Sequence, residues 1–185
     1  MKKTVVRLLL GLSFIVFVFL SLKYDSKRYD YGWDCVFCSN TLPYNIEPKF
    51  NFEYPQSFVL MDDDDFELMG IGFRYRNSDF KIKNFLGYGY NDTSIVAKVT
   101  DSLNNIKYLS SYETGNKSDN GSPEISFEDM SETKFEQVKD KYRWTDLVEG
   151  SATEITMKRL LFFTGAIISL LLLLWQLISK RKVTQ

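Results

Sequence analysis

The only two cysteines of the chain stand three positions apart in GWDCVFCSN, residues 32 to 40. A Cys-x-x-Cys pair can exchange disulfides, supply half of a zinc site or close a short loop. Exchange requires the first thiol at a helix N-terminus, where its pKa falls. Trp33 before Cys35 suits that arrangement, but Ser39-Asn40-Thr41-Leu42-Pro43 after Cys38 is a poor helix former. Two thiols alone complete a zinc site only if two chains pool them. The reading is a structural disulfide between Cys35 and Cys38 in an oxidising compartment. The chain has no histidine, which removes the usual base near neutral pH, the commonest metal ligand and every Ser-His-Asp or Cys-His arrangement. Carboxylate-only hydrolysis needs two acids facing one cleft, and among 24 acidic residues chance pairs are easy. No catalytic, cofactor or metal site is assigned. Asp62 to Asp65 lacks the spaced ligands and glycine of a calcium loop and reads as an exposed acidic turn.

A second candidate is electrostatic. In ELMGIGFRYRNSDFKIKNFLGYGY, Ile71, Phe73 and Tyr75 share one parity, Asn77-Ser78-Asp79 makes a turn, and Phe80, Ile82, Leu86, Tyr88 and Tyr90 follow. The pattern predicts a hairpin. Arg74, Arg76, Lys81 and Lys83 occupy the opposite parity, so four cations line one face of it, a candidate partner-binding surface. Gly70, Gly72, Gly87 and Gly89 predict bulges or close backbone approach.

These residues lie between two apolar runs. Leu8 to Leu22 is uncharged for fifteen residues and Leu160 to Ile178 for nineteen, against the roughly 20 that a bilayer needs. Leu20 and Leu22 around Ser21 make a poor cleavage edge, so the first run reads as an uncleaved signal anchor. Gly165 and Ser169 form a small-xxx-small pair suited to helix packing, against the other span or a second copy. The layout is a tail at 1–7, a span at 8–22, an extracytoplasmic domain at 23–150, a juxtamembrane and transmembrane helix at 151–179, and a basic tail at 180–185. Basic residues flank both spans equally. The tails, however, carry no acid, which puts both termini in the cytoplasm and the middle outside a cell membrane.

Within the middle, residues 23 to about 55 read as turn-rich. SFVLM (57–61), SIVAKVT (94–100) and NIKYLSSY (105–112) read as strands, the last two joined through Asp101 to Asn104. Glu113 to Pro123 reads as a surface loop, and Asn91, Asn116 and Asn120 head N-x-S/T triplets. A capping box of Asp129 and Glu132 predicts an amphipathic helix from 130 to about 144. A second box, Ser151 and Glu154, predicts one from Ala152 to Ser179, with Gly150 as a joint. The fold class is two transmembrane helices flanking a small α+β, mainly antiparallel β, domain.

All 24 acids and 17 of the 23 bases fall between residues 23 and 159, a net charge of −7. No broad positive surface exists to displace phosphate counterions, which excludes nucleic acid as a partner. The expected partners are the bilayer, another membrane or envelope protein, and a second copy of the chain. The functional reading is a non-enzymatic, membrane-anchored protein whose outer domain binds a protein. The alternatives are a small sensory or regulatory protein working through a separate output partner, and a membrane thiol–disulfide protein using Cys35 and Cys38.

Overall fold

The computed structural model describes residues 2–35, 38, 42–51, 57–62, 67–72, 80–117, 123–147 and 151–178. The chain forms two compact units, one built on two long helices and the other on β-sheets.

The helix unit consists of α1 (Lys2–Tyr29) and α3 (Ser151–Ile178), both long and apolar enough to cross a membrane. They pack together antiparallel. Arg7 reaches Gln176 at one end and Asp25 meets Arg159 at the other. Between these ends, Phe162 stacks on Tyr24 (5.4 Å) and tilts against Phe17 (6.3 Å). Helix α1 runs seven residues past Leu22, where the sequence had suggested turns. No glycine or proline interrupts 23–29, and Lys27 and Arg28 in the last turn favour the dipole.

In the sheet unit, β1 (Glu47–Asn51), β2 (Ser57–Met61) and β3 (Glu67–Met69) form a three-stranded antiparallel sheet. Five further strands, β4 (Asn84–Tyr90), β5 (Ile95–Thr100), β6 (Ile106–Lys117), β7 (Pro123–Met130) and β8 (Arg143–Asp146), form a second one in the order β7-β6-β5-β4-β8, all pairs antiparallel. The short helix α2 (Glu132–Val138) lies between β7 and β8 in sequence.

The larger sheet is covered on both faces, and side-chain parity decides which residues go where. Phe85, Tyr88, Tyr90, Ile95, Ala97, Val99, Leu109, Ile125 and Phe127 meet Phe58, Leu60 and Met69 of the smaller sheet in the main core. The opposite parity, with Val96, Tyr108 and Met130, packs against Phe135 of α2, with Tyr142 and Trp144 partly buried beside them. Tyr88 is fully buried, and its hydroxyl donates to the Asp30 carbonyl at 2.9 Å, which removes the penalty of an unpaired polar group. Burial pushes the Tyr88 pKa well above its ordinary value.

Three expectations change. Strand β4 has β5 and β8 as its neighbours, so 84–90 does not continue the expected hairpin arm, and residues 73–79 of that hairpin lie outside the described residues. Gly72 N–H donating to the Ile82 carbonyl (2.7 Å) is the described link between those segments. The turn at Asn77–Asp79 lies outside the described residues. The helix expected over 130–144 stops at Val138, because Arg143 to Asp146 pair with β4. Its cap is Ser131 rather than Asp129, which is still paired within β7. The loop expected from Glu113 is strand as far as Lys117, with Thr114 and Asn116 both donating to Glu124. The β5–β6 connection is as expected. Asp101 accepts from the Asn105 side chain and from the backbone N–H groups of Leu103 and Asn105, and these bonds hold its carboxyl below the usual range.

Gly89 shows why glycine interrupts an otherwise aromatic strand. It sits opposite Trp144, and a Cβ there would lie 2.5 Å from Trp144 Cε3 and 3.0 Å from Tyr142 Cβ. The expected outcome for Gly89→Ala is a loss of about 1–3 kcal/mol through overpacking. Chemical denaturation of the full chain, followed by circular dichroism beside wild type, measures it. An unchanged midpoint would mean that Trp144 has room to move.

Candidate interaction surfaces

Cys35 and Cys38 are bonded to each other, as expected. Trp33, two residues earlier, stacks on Phe50 of β1 at 5.8 Å. Neither cysteine lies in a helix. A loop this short releases little chain entropy when opened. Cys35→Ser with Cys38→Ser is expected to cost about 1–2 kcal/mol. Thermal melts of the double variant with and without reductant check this: reductant should lower the wild-type midpoint to that of the variant and leave the variant unmoved.

The structure keeps part of the basic face. Lys81 and Lys83 are exposed on either side of buried Ile82, as the alternation requires. Lys83 Nζ donates to Asn104 Oδ1 (2.9 Å), and Lys107 Nζ stands 5.6 Å from the ring of Phe80. Arg74 and Arg76 lie outside the described residues, as do Asp63 to Asp65, Asn120, Gly150 and the basic tail. Lys107, from strand β6, stands by Phe80, whose parity is opposite to that of Lys81 and Lys83. Among the described residues, no group of three or more Asp, Glu, Cys or His side chains gathers as a metal site would require.

Gly165 and Ser169 both lie on the seam of the helix pair. A Cβ on Gly165 would come 3.1 Å from the Phe17 ring, and Ser169 is buried. Two polar contacts bound this seam. The Arg7 guanidinium donates to the Gln176 carbonyl at 2.7 Å, satisfying an acceptor in the last turn of α3. At the other end Asp25, only 3% exposed, lies 2.6 Å from Arg159 Nε and 3.5 Å from Arg28 Nη1. Spacing within either helix does not reveal this set. Its signal is that a charge closes each apolar run at the same depth on both helices.

The face of the larger sheet under α2 carries a cleft of about 520 Å³, lined among others by Lys98, Phe135, Lys139, Tyr142, Trp144 and Asp146. Trp144 donates its indole N–H to Asp146 Oδ1 at 2.7 Å and meets Phe135 edge-on at 5.4 Å. A sequence reading that makes 130–144 one helix hides this cleft. Gly87-x-Gly89, two small residues on one parity of an aromatic strand, is the trace it leaves.

No family model, no curated protein and no solved structure matches this chain. Functional argument rests on its own geometry.

The Asp25 contact is open to a double-mutant cycle. Removing one partner strands a charge that is nearly buried, so Asp25→Ala and Arg159→Ala should each destabilise the helix pair. Together they should cost less than their sum by about 1–3 kcal/mol. Unfolding in mixed micelles measures the coupling, and strict additivity would show that the contact carries none.

Proposed function

We propose that the protein is a membrane-anchored, non-enzymatic module that holds a water-exposed sheet domain outside the cell membrane for a protein partner to dock on. The observation that carries the anchoring is the bracketing of the apolar seam. From Arg7 to Asp25 on α1, and from Arg159 to Gln176 on α3, the helices rise about 26–27 Å, close to the hydrocarbon thickness of roughly 30 Å. Among the described residues, only Leu103 and Ile106 of the exposed large hydrophobics lie outside these two helices. Trp175, 68% exposed next to Gln176, and Tyr24 next to Asp25 stand at the two edges of the belt, where amphipathic rings favour the interface. An antiparallel pair that crosses twice returns the chain to its starting side. Together with the acid-free tails, this supports cytoplasmic termini.

The docking surface is the basic face. Lys81 and Lys83 make no ion pair among the described residues, and an acidic patch on a partner would meet two ammonium groups there. The sensory and thiol–disulfide readings have no comparable support.

Single cysteines at Thr4, Ser118 and Thr184, in a background without Cys35 and Cys38, test the topology. Impermeant maleimide applied to whole cells should label position 118 alone, and labelling at 4 or 184 would refute it. For the docking surface, Lys81→Glu with Lys83→Glu should abolish cross-linking to the native partner in membranes. The domain's melt should stay put, because exposed charges contribute under about 1 kcal/mol each. Cross-linking that survives the reversal would discard the basic face.

A further inference from the structure

We infer that the cleft beneath α2 binds the ring of a neutral saccharide, with the indole of Trp144 as its stacking platform. The platform is built by the sheet. Trp144 faces Gly89 across the β4–β8 pair, and its ring extends toward Gly87, where an added Cβ would stand 3.2 Å from Trp144 Cζ2. The indole lies over the glycine positions, meets Phe135 at a steep angle, and is among the residues that line the cleft. Its N–H, bonded to Asp146, fixes the ring's rotation.

Around this platform stand donors and acceptors of both signs. In the register of the sheet, Gly87 pairs with Lys98 on one side and Asp146 on the other. No side chain fills the gap between them on that row. Lys98 is partly buried on a central strand and makes no ion pair among the described residues. Glu136 and Lys139, paired at 2.6 Å, and Asp140 complete the rim.

The chemistry of this lining selects its ligand. The cleft lies on the face of the sheet, over strands β5 and β4 and edge strand β8, so a ligand seated in it meets side chains rather than the strand edge at which a peptide would add. A purely apolar ligand would desolvate Lys98 and Asp146 without replacing their hydrogen bonds. An anion meets three carboxylates and a cation meets two lysines. A neutral polyhydroxylated ring satisfies all of them. Its apolar face covers the indole, and its hydroxyls donate to Asp146 and accept from Lys98. The volume is within the range of small-molecule sites.

The test uses the full chain in nanodiscs, which avoids the sugar headgroups of common detergents. Maltotriose, cellotriose and chitotriose are titrated while tryptophan fluorescence is followed, with the tripeptide Gly-Trp-Gly as a control probe. At least one trisaccharide should saturate the signal by millimolar concentration. Trp144→Ala should weaken its binding at least about tenfold, read by calorimetry. Lys98→Met, which leaves the aromatic packing in place, should weaken it severalfold at an unchanged melting temperature, and it decides the matter if Trp144→Ala fails to fold. Three results would each overturn the inference: no trisaccharide binds, binding is indifferent to Lys98→Met, or the tripeptide binds and the sugars do not. Anchoring is tested separately by the maleimide labelling, so failure here leaves that reading untouched.

Discussion

Strand β4 has to be buried on both faces while flanked on both edges, and most of the sheet unit follows from that. Its odd and even positions have opposite characters. Phe85, Tyr88 and Tyr90 fill the main core, whereas Gly87 and Gly89 leave the other face nearly flat. The shift of register between Phe85 and Gly87 separates Phe85 from the two tyrosines while keeping all three in one core. Burying Tyr88 calls for a hydroxyl acceptor, found in the Asp30 carbonyl. The Asp30 carboxylate in turn lies 3.7 Å from Arg143 of β8, whose guanidinium sits 5.7 Å from the Tyr90 ring. The apolar burial supplies the free energy. The hydrogen bond adds about 1 kcal/mol at most, and its larger effect is to fix which turn meets which strand.

The composition of the helix unit suits a different solvent, the hydrocarbon of the proposed membrane setting. A belt of exposed leucine, isoleucine and phenylalanine would drive aggregation in water, but in hydrocarbon it costs nothing, and association must come from packing and polar contacts instead. Both are visible in the pair. Gly165 admits the Phe17 ring, Phe162 stacks between Phe17 and Tyr24, and the polar contacts occupy only the ends of the seam. An ion pair such as Asp25 with Arg159 is expensive at the centre of a bilayer and tolerable at its edge, where long cationic side chains reach water. Its position is what lipid solvation would select.

Legibility in the sequence follows the range of the interaction. The two long helices, strands β2 and β5, the Asp101 turn and the disulfide rest on local composition or period, and were readable. What failed depends on contacts far apart in sequence. Residues 130–144 have helical spacing at Phe135, Val138 and Tyr142, but pairing with β4 takes Arg143 to Asp146 as strand, because the edge of β4 needs a partner more than α2 needs another turn. Lys23 to Tyr29 looked turn-like because charges crowd there, yet Asp25 is buried against an arginine more than 130 residues away. The cleft was invisible for the same reason: Lys98, Gly87 and Asp146 become a row only once three strands are in register.

Charge economy separates the polar residues that hold the fold from those left available. Between residues 23 and 159 the acids outnumber the bases by 24 to 17, so no cation lacks a partner through scarcity. Arg28 and Arg159 are held by Asp25, Arg143 lies near Asp30, Lys139 pairs with Glu136 and Lys158 with Glu154. Lys81, Lys83, Lys98 and Lys107 make no ion pair among the described residues. For exposed lysines this is common, since a surface pair gains little over hydration. Lys98 is different. It is partly buried on a central strand, where an ammonium group loses water, and a lysine with no structural duty would be replaced there at no cost by an apolar residue of the same parity, as Val96 is. Retaining a charge in that place makes sense if something outside the chain completes its coordination.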